Sequence, residues 1–138
     1  ILFFSSLANE ISYNTNVIDA SKYPDMQELI CASDILITDF SSCMFDACLL
    51  GKPVFLYAKD FKNYTHEERG MIFRIQDLPF TISESIDVLC KNMKCFSNDE
   101  YEQNYKSFLS SIGLVDNGHG DLFIANILES HLNSQYYV

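Results

Sequence analysis

Three polar side chains stand where an apolar segment gives way to a helical one. Asp39, Ser41 and Ser42 follow Ile35-Leu36-Ile37-Thr38 and precede Cys43-Met44-Phe45-Asp46. A short apolar or β-branched run bounded by Asp34 and Asp39 is the pattern of a buried strand. Ser41 or Ser42 can then cap the helix that follows. A strand-to-helix corner at the C-terminal edge of a parallel sheet offers backbone N–H groups and the positive end of a helix dipole to an anion. Open α/β sheets bind their ligands at that edge. Two hydroxyls added to the N–H groups can hold phosphoryl oxygens without net positive charge. The competing account is structural: Ser41 is only a helix cap and Asp39 only a turn former. Asp46, one helical turn further in, either faces solvent or accepts from a ligand hydroxyl.

A second group of chemically able residues lies in the polar stretch 59–69, which carries Asp60, Tyr64, His66, Glu67, Glu68 and Arg69, with Gly70 after it. An arginine beside a glycine can approach a phosphate bidentately. Arg69 can equally pair with Glu67 or Glu68 at the surface. Lys52, before Pro53, reads as a solvated lysine. Of the three histidines, His66 alone falls in a candidate site loop, while His119 and His131 do not. None is spaced with Cys, Asp or Glu as a metal site requires, so neither metal nor cofactor is expected. A glycine-rich dinucleotide fingerprint, a Walker A loop and a nucleophile elbow are all missing from the sequence.

Composition narrows the function classes. The 138 residues carry 9 basic and 19 acidic side chains, a net charge of −10. No basic excess exists to displace counterions, so nucleic acid is not an expected partner, and an anionic ligand must be held by local donors. A hydrophobic share of 48% supports a real core rather than disorder. The five cysteines (Cys31, Cys43, Cys48, Cys90 and Cys95) are odd in number and form no C-x-x-C, which reads as reduced, mostly buried thiols of a cytosolic protein. No apolar run approaches the about 20 residues of a membrane span. The first residue is Ile within an apolar stretch, and the expectation is one domain that is a piece of a larger protein.

The elements that must position the corner are read as follows. Residues 1–4 suggest a strand, 7–13 a short helix and 17–19 a short strand. Asp25-Met26-Gln27-Glu28 has the form of a capping box opening a helix over Met26–Ala32. The strand at 35–38 comes next, then a helix over 42–50 with Phe45, Cys48 and Leu49 on its buried face. Gly51 suits the position after that helix. Val54–Tyr57 is a second, continuously apolar strand. Residues 71–73 suggest an edge strand, and 78–82 an extended segment that Pro79 confines to a sheet edge or strand start. Three helices follow. Ser83 caps the first, with Ile86, Leu89, Cys90 and Met93 inward. Asn98 caps the second, with Tyr101, Tyr105, Phe108, Leu109 and Ile112 inward and Gly113 at its end. The third covers 121–132. Apolar strands alternating with short helices imply an α/β fold, a Rossmann-like parallel sheet with flanking helices and right-handed crossovers.

The ordered run of motifs resembles a known family. Glu28-Leu29-Ile30, then Ser33-Asp34-Ile35-Leu36-Ile37-Thr38-Asp39-Phe40-Ser41-Ser42, then Phe45-Asp46 and Lys52-Pro53-Val54-Phe55 are similar to the C-terminal motif of the CDP-glycerol glycerophosphotransferases, the teichoic-acid and capsule polymerases and primases. Asp60, Tyr64, Arg69 and Gly70 match the aspartate, tyrosine and R-G pair that follow in the family. Phe40 stands where the family usually has Tyr, which keeps stacking and loses a hydroxyl. The resemblance covers about residues 17–73, with Asp116 to Gly118 as a further match.

It implies that the chain is part of the C-terminal, donor-binding domain of a GT-B fold. It also implies a CDP-glycerol or related CDP-activated donor and a polymer acceptor reached through other regions. By resemblance Ser41 and Ser42 contact the donor pyrophosphate, Thr38, Asp39 and Asp46 line the donor pocket, and Arg69 lies near the phosphates. The family's catalytic histidines lie upstream, one in a lysine-x-histidine context that this sequence lacks, so no catalytic residue is carried over. The resemblance further implies a cytoplasmic enzyme at the inner face of the cell membrane, with membrane contact through the full-length protein. Two other readings stand beside it: a GT-B transferase using a nucleotide sugar, and a receiver-like signalling domain with Asp39 as phospho-acceptor.

Overall fold

A computed structural model of the chain describes residues 2–3, 16–59, 73–114 and 118–135. The expected helix at 7–13, the polar stretch 60–69 with Arg69 and His66, most of the expected strand at 71–73, and residues 115–117 and 136–138 lie outside the described residues. The chain divides into two units, Ile1–Phe108 and Leu109–Val138.

In the first unit, β1 (Leu2–Phe3) pairs in parallel with β2 (Ile18–Asp19), Leu2 opposite Ile18. Helix α1 covers Met26–Ala32 as expected, and β3 (Leu36–Thr38) leads through the corner into α2 (Cys43–Leu49). Strand β4 (Val54–Tyr57) and β5 (Thr81–Ser83) complete a three-stranded parallel sheet in the order β3-β4-β5. Leu36 lies opposite Val54 and Phe55 opposite Thr81. Helices α3 (Ile86–Lys94) and α4 (Asn98–Ser111) follow. The parallel α/β reading holds, and Pro79 stands just ahead of an edge strand, as the sequence implied.

The continuous apolar run of β4 has its reason in this order. The central strand is covered on both faces, and Val54, Phe55 and Leu56 are all fully buried. β3 has the same kind of sequence and a different fate. Among the described residues it lies at the edge of the sheet, with Ile37 47% and the preceding Ile35 36% exposed, so the expected buried strand is only half covered. Apolar composition signals a strand but does not say which place in a sheet it takes.

Helix α2 turns differently from the expectation. Its buried residues are Met44, Ala47 and Cys48, while Phe45 is half-buried and Leu49 is exposed. Nearly every residue of this helix is apolar, so periodicity leaves the inward face open and packing against the sheet selects it. Phe45 instead joins an aromatic cluster, 5.8 Å from Phe73, 6.1 Å from Phe80 and 6.4 Å from Phe108 between ring centroids. Each such pair adds about 0.5–1.5 kcal/mol beyond burial. A second chain of rings runs Phe55–Phe96–Tyr101–Tyr105 at 5.3, 5.7 and 5.4 Å, and it ties α4 to the central strand.

The exit from α2 is well determined. Gly51 has φ +66°; its N–H donates to the Cys48 carbonyl and the Lys52 N–H to the Ala47 carbonyl, the paired bonds of a Schellman ending. A Cβ at Gly51 would also lie 3.0 Å from the Tyr105 hydroxyl. The Tyr101 hydroxyl donates to the Lys52 carbonyl at 2.7 Å, and Lys52 Nζ donates to the Cys31 carbonyl. Lys52 is therefore a link between the start of β4 and α1, not merely a solvated charge.

Several helix starts differ by a residue or two from the sequence reading. Ser85, not Ser83, caps α3; Ser83 is fully buried and accepts from Asn92 Nδ2 at 3.0 Å. Ser97, not Asn98, caps α4, accepting from the Glu100 N–H. The capping box of α1 is half formed: Asp25 accepts from the Glu28 N–H, but the Glu28 carboxylate accepts from the Tyr23 hydroxyl. On α3, Ile86 and Cys90 are exposed; on α4 Tyr101 and Phe108 are buried, while Ile112, one residue past its end, is exposed. All five cysteines are free thiols, but Cys31, Cys90 and Cys95 are exposed, so the expected mostly buried set reduces to Cys48 and half-buried Cys43. Exposed apolar residues at helical spacing mark a face without deciding what covers it.

The second unit holds α5 (Gly120–Gln135), longer than the expected 121–132. Leu122, Phe123, Ile124, Ile127, Leu128 and Leu132 on it are each more than half exposed.

Candidate functional site

The corner is built from the last residue of β3 and the first turn of α2. β3 ends with Thr38 at the C-terminal edge of the parallel sheet, and Asp39, Phe40 and Ser41 turn the chain into Ser42 at the head of the helix. Pairing holds the strand in place: the Leu36 N–H donates to the Pro53 carbonyl at 2.9 Å, and register matches Thr38 to Leu56 of the buried central strand. The corner thus rests on the best-packed element of the unit.

Neither serine caps the helix. Ser42 occupies the capping position but makes no side-chain cap hydrogen bond. Its backbone (φ −58°, ψ −23°) is helical, unlike the extended backbone of Asp25 and Ser85, which do cap. A helical backbone carries the side chain away from the N–H three residues on, and capping needs extended φ and ψ. The first turn is closed by backbone bonds instead, from the Met44 N–H to the Ser41 carbonyl (3.1 Å) and from the Phe45 N–H to the Ser42 carbonyl (2.9 Å). This narrows the expected anion site, because those two N–H groups point into the turn. Among the described residues no hydrogen bond engages the N–H of Ser42 or Cys43.

The structure brings Thr38 and Ser41 together through a residue the sequence reading passed over. The Cys43 thiol donates to Ser41 Oγ at 3.3 Å and lies 3.7 Å from Thr38 Oγ1. Ser42 is exposed, Asp39 is exposed, and Thr38, Ser41 and Asp46 are half-buried. Asp46 lies four residues after Ser42, on the same side of α2. Arg69 lies outside the described residues. The missed signal for Cys43 was positional: it is the first residue of the helix and two after Ser41. Among the described residues no group of three or more His, Cys, Asp or Glu is arranged to hold a metal ion. No helix among them is long and apolar enough to cross a membrane.

Comparison with known proteins decides the family. The model of the CDP-Glycerol:Poly(glycerophosphate) glycerophosphotransferase family matches residues 3–128. The chain belongs to this family. The glycerophosphotransferase family chain is 33% identical over 126 residues to the teichoic acid poly(glycerol phosphate) polymerase of Staphylococcus epidermidis, covering 89% of this chain and 18% of that protein. It is 39% identical over 79 residues to the teichoic acid glycerol-phosphate transferase of Staphylococcus aureus, 56% of this chain and 20% of that one. Among solved structures it is similar to a variant of the wall teichoic acid polymerase TagF, with a TM-score of 0.75 and 31% identity over 98% of this chain and 35% of that chain. A TagF variant soaked with CDPG superposes with a TM-score of 0.73 at 30% identity, over 99% of this chain and 36% of that chain. The chain thus spans about a fifth of those curated relatives and about a third of the solved polymerase. Family membership leaves the receiver-domain reading of Asp39 without support.

Proposed function

We propose that this chain is the donor-binding part of a transferase that moves glycerol phosphate, or a related polyol phosphate, from a CDP-activated donor in teichoic acid or capsular polymer synthesis. It forms part of the C-terminal domain of a GT-B fold. The observation that carries this is the corner: a Thr38-Asp39-Phe40-Ser41-Ser42 run that resembles the family's motif except at Phe40, and whose two serine hydroxyls are not used as helix caps. Relatives named as glycerol-phosphate polymerases and transferases, and a related polymerase soaked with CDPG, support the choice of donor.

In this reading Ser41 and Ser42 donate to the pyrophosphate oxygens, a neutral way to hold an anion in a chain of net charge −10. Thr38, Asp39 and Asp46 line the donor pocket, and Arg69 approaches the phosphates. An acceptor hydroxyl attacks the phosphorus next to glycerol, the new O–P bond forms, the bond to CMP breaks, and CMP leaves with the electron pair. The proton of the acceptor is taken by groups outside this chain, which contributes binding and alignment, the dominant sources of rate in phosphoryl transfer. The enzyme acts at the inner face of the cell membrane, with membrane contact supplied by the full-length protein.

The test is a titration of this chain with CDP-glycerol, a UDP-sugar, and acetyl phosphate with Mg²⁺, followed by amide shifts. The expected result is movement of the Ser41 and Ser42 amides with CDP-glycerol alone. Equal response to the UDP-sugar would favour a nucleotide-sugar transferase, and a covalent phosphate on Asp39 would sink the proposal.

A further inference from the structure

We infer that Cys43 is a positioning residue of the donor site, acting through the Ser41 hydroxyl. This rests on the proposed donor reading of the corner and adds to it a residue with no counterpart among the quoted motif positions. The thiol carries one proton. It is directed to Ser41 Oγ at 3.3 Å; in the 3.7 Å contact with Thr38 either atom can donate, and with the thiol proton given to Ser41 the threonine hydroxyl supplies the donor. The three groups form a directed chain, Thr38 O–H to Cys43 S–H to Ser41 Oγ. A hydroxyl has one donor and two acceptor lone pairs. Occupying a lone pair of Ser41 Oγ by an S–H donor turns the Ser41 proton outward, where a phosphoryl oxygen can accept it.

The placement of the relay fits this role. Thr38 ends β3 and pairs in register with buried Leu56, so the chain of hydroxyl and thiol starts from the rigid sheet. Cys43 opens α2, so the relay joins strand to helix across the turn that holds Ser41 and Ser42. Ser42, by contrast, is exposed and has no described side-chain partner in the corner. Only Ser41 is oriented from behind. A sulfur acceptor and donor are weak, which suits orientation rather than binding strength.

The test uses the full-length enzyme with CDP-glycerol as the varied substrate and melting temperature as a parallel readout. Cys43→Ala removes the donor and should raise the donor KM by about three- to tenfold, the worth of one ordinary hydrogen bond, with a much smaller change in kcat. Cys43→Ser keeps an O–H donor at the same position and should restore KM to within about twofold of wild type. The decisive measurement is the double-mutant cycle with Ser41→Ala. If Cys43 acts through Ser41, Cys43→Ala has no further effect on KM once the Ser41 hydroxyl is gone. Additive effects, an unchanged KM in Cys43→Ala, or no rescue by serine would each overturn the inference. Wild-type enzyme that ignores CDP-glycerol would instead overturn the donor reading beneath it, so the two failures are told apart.

Discussion

The four α-helices that start in the first unit among the described residues begin in two ways. At α1, α3 and α4 a side chain folds back onto the third N–H of the helix: Asp25 accepts from Glu28, Ser85 from Val88 and Ser97 from Glu100. At α2 the equivalent N–H, that of Phe45, goes to the Ser42 carbonyl and the serine side chain takes no part. The same residue type in the same position serves opposite ends, and backbone conformation decides which. An extended capping residue ties its hydroxyl to its own chain. A helical one leaves the hydroxyl for other partners. A second contrast runs alongside, since Val54, Phe55 and Leu56 of β4 are fully buried while β3, which feeds the corner, is half open. Rigidity and availability are therefore divided between neighbouring strands.

The contrast is sharpest in core substitutions. Leu56→Ala should destabilise by about 2–5 kcal/mol, the usual cost of a cavity at a fully buried aliphatic, whereas Ile37→Ala on the half-open neighbour should cost under about 1 kcal/mol. Urea denaturation of both variants measures the difference, and equal losses would erase the distinction between the strands.

The serines come next. In the full-length enzyme Ser41→Ala and Ser42→Ala should each lower kcat/KM for the CDP-activated donor by about tenfold or more, the range for a hydrogen bond to a charged group. Melting temperature should barely move, because neither hydroxyl caps the helix. A stability loss with normal kinetics would return both residues to a structural role.

The packed side also sets an alkaline limit. Burial pushes the Cys48 thiol from 9.0 up to about 11, and burial also raises the Tyr101 phenol. Below pH 9 the thiol is protonated whether folded or not. Between pH 9 and 11 the unfolded chain releases a proton that the folded chain keeps, so stability falls as pH rises. The loss from Cys48 is on the order of 2 kcal/mol by pH 11. Unfolding free energies from pH 8 to 11 should fall less steeply for Cys48→Ala than for wild type; identical slopes would count against a buried neutral thiol.

The smallest effect belongs to a cap that works. Ser85→Ala should cost about 1 kcal/mol of stability and leave donor kinetics unchanged, the reverse of Ser41→Ala. Paired melting and kinetic measurements on the two variants test that reversal directly.

The α/β order, helix α1, strand β4 and the glycine after α2 were readable because each rests on local chemistry: a capping aspartate, a continuous apolar run, a position needing positive φ. The corner was readable as a place for an anion, but its wiring was not. The position of Cys43, two residues after Ser41, was its one local signal; that the thiol also meets Thr38 is decided only when the strand end folds against the helix start. Caps slipped from Ser83 to Ser85 and from Asn98 to Ser97 because several serines and asparagines cluster before those helices, and only backbone angles choose among them.

Local patterns determined which segments become strands and helices, because propensity, capping and apolar periodicity act within a few residues. They also carried the ordered motif of the family, which needs no contact to be recognised. Tertiary structure decided which apolar strand is central, which face of α2 turns inward, and that the serines of the corner are not caps. Those outcomes depend on what packs against each element, and a nearly all-apolar helix or a free sheet edge satisfies its local rules in more than one arrangement until the neighbouring strand is in place.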